Sequence, residues 1–357
     1  MSPPRSFVPA WWLPGRHAQT VWSQVARSRR LVRYERESIG TPDGDELLVD
    51  HLPGPPGSPR LLLLHGLEGS SYSVYIQNLA RLAHARGWRV AAMNLRGCAR
   101  DPADTRTWIP NRCPRLYHSG ETGDPDLVIR TLAGRDESAP LVAMGASVGG
   151  NILLKWLGEN PGQTAVRALA TMSVPYDLGA ASRHMETRIG RAYLRWFLPS
   201  LREKMLHVAD RFPDVRARMD LEAARRAVDF HPFDHVATAP MHGFDGADDY
   251  YRQCSSIHFV GRIRTPTLCL SARDDPFVPA HILGRLRGAL SPSVRLEVTE
   301  SGGHVGWVTG AHPGRARYWA EEYVLDWLAA QIEEPRSFTA QALATGRGHA
   351  ARGPRTR

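Results

Sequence analysis

Residues Pro140 to Asn151 read Pro-Leu-Val-Ala-Met-Gly-Ala-Ser-Val-Gly-Gly-Asn. The short apolar run Leu141 to Met144 predicts a buried strand, and Ile152, Leu153, Leu154, Trp156 and Leu157 predict a helix directly afterwards. Between them lies Gly145-Ala146-Ser147-Val148-Gly149. Strand, Gly-x-Ser-x-Gly, helix is the setting of a nucleophile elbow, in which a sharp turn lifts the serine hydroxyl above the sheet. Side chains two residues either side of Ser147 would collide with strand and helix, which explains Gly145 and Gly149. A chain with this glycine content meets the five-residue pattern by chance roughly 0.2 times. The flanking elements lower that further.

Working outward, strands and helices alternate. Leu31 to Ile39 and Glu46 to Asp50 predict two strands joined by the Pro42-Asp43-Gly44-Asp45 turn, and Leu61 to Leu64 a buried strand. An amphipathic helix is expected over Ser73 to Arg86, then a strand over Trp88 to Met93 and a helix over Asp124 to Ala133. Beyond the elbow, Val166 to Met172, Pro266 to Leu270 and Val294 to Val298 predict strands, and a last helix spans about Arg315 to Ile332. This alternation specifies an α/β fold, a mostly parallel sheet with helices on both faces. The pattern breaks over residues 177–256, where helical segments such as Arg191 to Leu198 and Leu221 to Val228 predict an inserted helical cap. The expected organisation is an N-terminal strap (1–30), a core (31–176 and 257–334), the cap (177–256) and a disordered basic tail (335–357). The leader reads as irregular, burying Trp11, Trp12, Leu13 and Trp22 against the domain rather than in a membrane.

The 357 residues, 42% hydrophobic, suffice for a large core. A formal charge of +9 suggests nucleic acid, but its distribution argues otherwise. Residues 1–30 and 335–357 each carry five Arg and no acid, which leaves about −1 on residues 31–334. Nucleic-acid binding is therefore not expected. Cys98, Cys113, Cys254 and Cys269 are too widely spaced for a zinc or redox motif, and neither a metal nor another cofactor is expected. The opening residues lack the apolar core of a signal peptide, and no run of 18 apolar residues occurs, so the reading is a cytoplasmic chain without a transmembrane segment.

If Ser147 is a nucleophile, it needs oxyanion donors, a base and an orienting acid. The donors are expected from the residue after the serine, Val148, and from the loop after strand 61–64, at Leu67 in His65-Gly66-Leu67-Glu68-Gly69-Ser70-Ser71. After the serine the order should be acid, then histidine. Asp275, in Asp274-Asp275-Pro276-Phe277-Val278, follows a late strand and is the expected acid, with Asp274 as the neighbouring alternative. His304, in Gly302-Gly303-His304-Val305-Gly306, follows the next strand and is the expected base.

These motifs together resemble the YheT-like branch of the α/β-hydrolases, also called AB-hydrolase family 4. The resemblance is carried by Gly15 to Trp22, Pro42 to Asp45, His65 to Ser71, Asn94-Leu95-Arg96-Gly97-Cys98, Tyr117-His118-Ser119-Gly120-Glu121-Thr122 and Gly145 to Asn151. Asp274 to Phe277 and Gly302 to Gly306 complete it. It implies a Ser147–His304–Asp275 triad and carboxylic-ester hydrolysis, with relatives acting on short-chain esters, acylglycerols or phospholipids. The family's leader usually reads Asn-Pro-His-Leu-Gln-Thr. Gly15, Arg16 and Ala18 depart from it, a difference expected to touch the strap and not the chemistry. Some eukaryotic relatives carry a membrane anchor, which this leader lacks, and that points away from membrane-lipid substrates. The Tyr117 to Thr122 signature is expected to be a fixed loop under the cap. An amidase or thioesterase would share every one of these catalytic residues, and a binding protein that keeps the fold is the rival from another class.

Overall fold

The computed structural model describes residues 6–27 and 32–333. Four consecutive leucines, Leu61 to Leu64, leave no polar face for a strand to present, and all four are fully buried. They form β3 (Arg60–Leu64) near the middle of an eight-stranded sheet. The others are β1 (Glu35–Gly40), β2 (Glu46–Leu52), β4 (Arg89–Met93), β5 (Leu141–Ala146), β6 (Val166–Met172), β7 (Thr267–Ala272) and β8 (Val294–Thr299). Their order is β1-β2-β4-β3-β5-β6-β7-β8, antiparallel from β1 to β4 and parallel from β4 onward. The chain is an α/β fold with a mostly parallel sheet, as its alternation predicts.

Helices cover both faces. The first are α1 (Arg16–Val25), α2 (Val74–Ala85), α3 (Gly123–Arg135) and α4 (Val148–Glu159). Between β6 and β7 come α5 (Leu178–Met185), α6 (Arg188–Arg211), α7 (Pro213–Arg216), α8 (Leu221–Arg226), α9 (Phe230–Phe233), α10 (Ala239–His242) and α11 (Ala247–Cys254). A π-turn, Asp234–Thr238, joins α9 to α10. α12 (His281–Ala289) and α13 (Trp319–Glu333) follow. Ile129, Leu153 and Leu286 bring α3, α4 and α12 onto one face, and Leu79 and Leu325 bring α2 and α13 onto the other. Burying each such side chain contributes roughly 1.5–3 kcal/mol. The helices between β6 and β7 have an apolar core of their own, around Leu194, Met205, Val208 and Phe233.

Three readings are adjusted. The leader is not irregular throughout: α1 occupies ten of its residues, and Trp11, expected to be buried, is 80% exposed. α6 does not stop before Pro199 but runs through it to Arg211. A proline inside a helix costs about 3 kcal/mol; burial of Leu198, Met205, Val208 and Ala209 on either side offsets that. The last helix starts at Trp319, because Arg317–Tyr318 pairs instead with Val308–Thr309 as a small antiparallel ribbon. The expected disordered tail and the Leu31 start of the first strand lie outside the described residues. Among these, no helix is long and apolar enough to cross a membrane.

Candidate active site

Register decides where the chemistry-bearing residues gather. Leu64 pairs with Gly145, Ala146 with Met172, and Met172 with Leu270, so β3, β5, β6 and β7 finish together. The loops after these carboxyl ends share one rim of the sheet, the usual place for a site in such a fold. Ser147 stands there between β5 and α4 with φ 51° and ψ −123°, a conformation L-residues rarely adopt. Its N–H donates to the Met172 carbonyl at 2.8 Å, which fixes the turn to β6. A methyl group on Gly145 would stand 2.7 Å from the Gly149 carbonyl oxygen, and one on Gly149 2.6 Å from the Leu64 carbonyl oxygen. Both are closer than a Cβ tolerates, so the turn requires glycine at both positions.

The structure brings Ser147, His304 and Asp275 into one line. Asp275 lies 2.9 Å from His304 Nδ1 through Oδ2, and His304 Nε2 lies 3.1 Å from Ser147 Oγ. A carboxylate only accepts, so Nδ1 carries the proton and Nε2 is left to accept from the serine hydroxyl. Asp275 Oδ1 also accepts from the Phe277 amide at 2.8 Å. Asp274 points elsewhere: its Oδ1 accepts from the Gly303 amide at 2.9 Å and braces the histidine loop.

That loop is held from an unexpected quarter. The His304 amide donates to Thr20 Oγ1 at 2.9 Å, and Thr20 in turn donates to the Arg16 carbonyl at 2.7 Å. Gln19 accepts from the Val308 amide at 2.7 Å and donates to the Val308 and Leu13 carbonyls, both at 3.2 Å. The Val305 amide donates to Ser173 Oγ at 2.9 Å. A methyl group on Gly303 would stand 2.6 Å from both Thr20 Oγ1 and the Arg16 carbonyl oxygen, so the glycine lets α1 lie against the loop. The leader therefore braces the loop that carries His304. Sequence alone gives Gln19 and Thr20 no role at the site, although with His17 they are the positions where the leader agrees with its family's pattern.

The His65 to Ser71 loop faces Ser147. Tyr75 Oη accepts from the Gly66 amide at 2.7 Å, Tyr117 Oη from the Glu68 amide at 2.9 Å, and the Gly66 carbonyl from the Gly69 amide at 3.0 Å. Within this run the Leu67 amide has no partner among the described residues. The Val148 amide, in the first turn of α4, likewise has none. His65 sits beneath, its Nδ1–H donating to the Gly66 carbonyl at 2.8 Å and its Nε2 accepting from the Leu95 amide at 3.1 Å. Complete burial lowers its pKa to about 4, which keeps the ring neutral. Glu68 has φ 54° and pairs with the buried Lys204 of α6 at 2.8 Å. Tyr117 Oη donates to Glu68 Oε1 at 3.0 Å, and Ser200 donates to the same carboxylate. Cys98 Sγ also lies 3.3 Å from the ammonium, but burial pushes its thiol up to about 11, so Glu68 supplies the counter-charge.

A cavity of about 760 Å³ opens over Ser147, walled mainly by apolar and aromatic side chains from α1, the His65 to Ser71 loop and the helices between β6 and β7. Asp234 and His118 are among the polar residues of its wall. Asp234, in the π-turn, accepts from Thr238 Oγ1 and Tyr251 Oη, both at 2.7 Å, and burial raises its pKa to about 6. His118 is held well below the ordinary histidine value by burial and by His242 alongside, whose own pKa burial lowers to about 3.

The sequence itself carries the family evidence. Residues 59–311 match the family model of the alpha/beta hydrolase fold. The chain is 35% identical to YheT of Escherichia coli (strain K12) over 92% of its own length and 94% of that protein's. The chain is a YheT-like α/β-hydrolase. It is also 30% identical to phospholipase ABHD3 of Bos taurus, over 88% of this chain and 76% of that one. The monoacylglycerol lipase of Saccharomyces cerevisiae (strain ATCC 204508 / S288c) is 28% identical over 76% of this chain and 59% of the lipase. Among solved structures, the Pyrococcus furiosus esterase Pf2001 superposes with a TM-score of 0.54 at 14% identity, covering 92% of this chain and 97% of that one. At that identity the likeness speaks for the fold alone.

In this YheT-like hydrolase the remaining family motifs hold the scaffold. Arg96 ties the Asp43 to Asp45 turn to α3, pairing with Asp45 at 3.0 Å and Asp124 at 2.7 Å. Asn151, directly behind the elbow, donates to the Ser119 carbonyl at 2.7 Å and the Cys254 carbonyl at 2.8 Å, and accepts from the Ser256 amide at 2.9 Å. Ser119 in turn donates its amide to Tyr250 Oη at 2.8 Å. The Tyr117 to Thr122 signature thus lies under the inserted helices, joined both to the elbow helix and to the His65 to Ser71 loop.

Proposed function

We propose that this chain is a serine hydrolase of carboxylic esters, acting on short- to medium-chain acyl esters or acylglycerol-like lipids. The observation that carries the reading is the hydrogen-bonded line Asp275–His304–Ser147 at the floor of a largely apolar cavity. His304 Nε2 takes the Ser147 proton as Oγ attacks the ester carbonyl. Asp275 keeps the imidazole in the Nδ1–H tautomer and stabilises its charged form. The Leu67 and Val148 amides, without partners of their own among the described residues, receive the oxyanion. The protonated His304 then gives its proton to the leaving alcohol. Water, deprotonated by the same imidazole, cleaves the acyl-enzyme and regenerates Ser147. The helices between β6 and β7 act as the cap that shapes the acyl site. Relatives named as a phospholipase and a monoacylglycerol lipase support an acyl-ester substrate.

The test is hydrolysis of a p-nitrophenyl ester series from acetate to palmitate by wild type and Ser147→Ala. Turnover should fall at least about 10⁴-fold in the mutant, and the chain-length optimum reports the depth of the acyl site. Equal rates for the two proteins would sink the scheme. Turnover of matched amides or thioesters but no ester would reassign the substrate while leaving the residues in place.

A further inference from the structure

Two helices frame the open side of the cavity, and α1 is dressed inside out. It buries the polar Gln19, Thr20 and Ser23, while Val21 and Val25, one turn apart, are 43% and 59% exposed. On α6, Ile189 and Trp196, two turns apart, are 51% and 75% exposed. All four line the cavity that leads to Ser147. Only seven large apolar side chains are exposed among the described residues, so more than half of them crowd one opening. Single exposed apolar residues need no explanation, whereas a cluster at a cavity mouth marks a contact surface.

Charge selects the partner. Residues 16–25 and 188–202 hold no Asp or Glu, yet carry Arg16, Arg188, Arg191, Arg195 and Arg202. Arg191 is taken up by Asp229 and Arg202 by backbone carbonyls of α8 and its cap. Arg188 and Arg195 are exposed and have no ion pair among the described residues. They precede Ile189 and Trp196 by one position each, so a basic row and an apolar row run side by side along α6. This basicity is local, since residues 31–334 sum to about −1. A second copy of the chain would set the same arginines against one another. Residues 335–357, with five Arg and no acid, bring the same sign. An anionic lipid surface satisfies both rows, apolar side chains entering the acyl boundary and guanidinium groups resting at the phosphates.

We propose that the α1–α6 rim docks on an anionic lipid surface and turns the cavity mouth toward its acyl chains. The residues that would make this contact are Val21, Val25, Ile189 and Trp196 rather than the leader's tryptophans. Delivery of an ester from that surface to Ser147 rests on the hydrolase reading above, while docking itself does not.

Flotation of the full chain with vesicles of phosphatidylcholine and phosphatidylglycerol in equal parts tests this, against phosphatidylcholine alone. Wild type and Ser147→Ala should float equally with the anionic vesicles, and raised salt should weaken both. At about fivefold for each arginine, Arg188→Gln with Arg195→Gln should lower the affinity about twenty-five-fold while leaving p-nitrophenyl acetate hydrolysis unchanged. Val25→Glu with Trp196→Glu should abolish flotation without moving the thermal midpoint of unfolding. No flotation of wild type would overturn the proposal. So would flotation that the rim variants leave intact, or a dimer on size-exclusion chromatography that the same variants dissociate.

Discussion

The Lys204 ammonium lies 2.8 Å from Glu68 Oε2, and both side chains are buried. Glu68 directly follows Leu67, and Lys204 belongs to the long helix α6 of the insertion, so one ion pair ties the loop beside Ser147 to the helices above it. The positive φ of Glu68 fits this role: a strained residue persists where its surroundings over-determine it.

Lys204→Met should therefore do more than remove an attraction. It strands a buried carboxylate, which costs about 3–5 kcal/mol, whereas replacing both partners by neutral groups costs much less. Denaturant unfolding of Lys204→Met, Glu68→Gln and the double variant gives the coupling energy. The double variant is expected to be more stable than Lys204→Met. Strictly additive losses would mean that the pair is not coupled.

Thr20 reaches the chemistry through the His304 amide. Thr20→Val keeps the shape and deletes the acceptor, so the imidazole loses one of its locks. Kinetics on a soluble ester should show kcat about five- to tenfold lower with KM little changed, the size of one net hydrogen bond. Thr20→Ser should restore most of it. A rise in KM at unchanged kcat would instead mean that Thr20 serves the cavity wall.

That Ser147, Asp275 and His304 meet was legible because each lies in a short local pattern at the end of a strand, and chain order alone pairs them. Thr20 was not, since 284 residues separate it from His304 and the contact exists only once α1 is folded. The helix itself had a signal, since Ala18, Val21, Trp22 and Val25 recur at helical spacing, but not its orientation: it buries Gln19, Thr20 and Ser23 and leaves Val21 and Val25 exposed. Lys204 left one faint trace, as one of only two lysines in the chain. The run of α6 through Pro199 could not be read either, because the compensating burial comes from neighbours distant in sequence. The sequence already favours Asp275 over the adjacent, chemically alike Asp274, and the coordinates set Asp275 against the His304 ring and Asp274 against the Gly303 amide.

That choice is open to a direct test, because the same substitution can be made at both positions. Asp275→Asn removes the carboxylate that fixes the Nδ1–H tautomer, and the expected loss is about 10⁴-fold in kcat. Asp274→Asn retains an amide oxygen to accept from Gly303, so kcat should stay within about fivefold of wild type. Equal losses would place the orienting role on both carboxylates.

Asp234 offers a pH signature that separates the cavity wall from Ser147, His304 and Asp275. Its pKa is raised from 3.8 to about 6 by burial, so the folded state binds this proton more tightly than the unfolded chain does. Below about pH 4 both states are protonated and no penalty exists. As pH rises towards about 6 the unfolded carboxyl ionises freely and the folded one does not, and folding loses up to about 3 kcal/mol. His65 and His242 act in the opposite sense. Their folded values of about 4 and about 3 lie below 6.5, so their contribution is whole above about pH 6.5 and is lost on acidification. Those larger displacements dominate, so the wild-type curve alone falls in acid and hides Asp234. The difference between Asp234→Asn and wild type isolates it, because the amide cannot ionise and the histidines are common to both. Urea unfolding through this pH range should give no difference at the acid end and a gain for the variant, growing to at most about 3 kcal/mol, above about pH 6. A gap that does not vary with pH would show that Asp234 ionises as an ordinary carboxyl, and that its bonds to Thr238 and Tyr251 outweigh its burial.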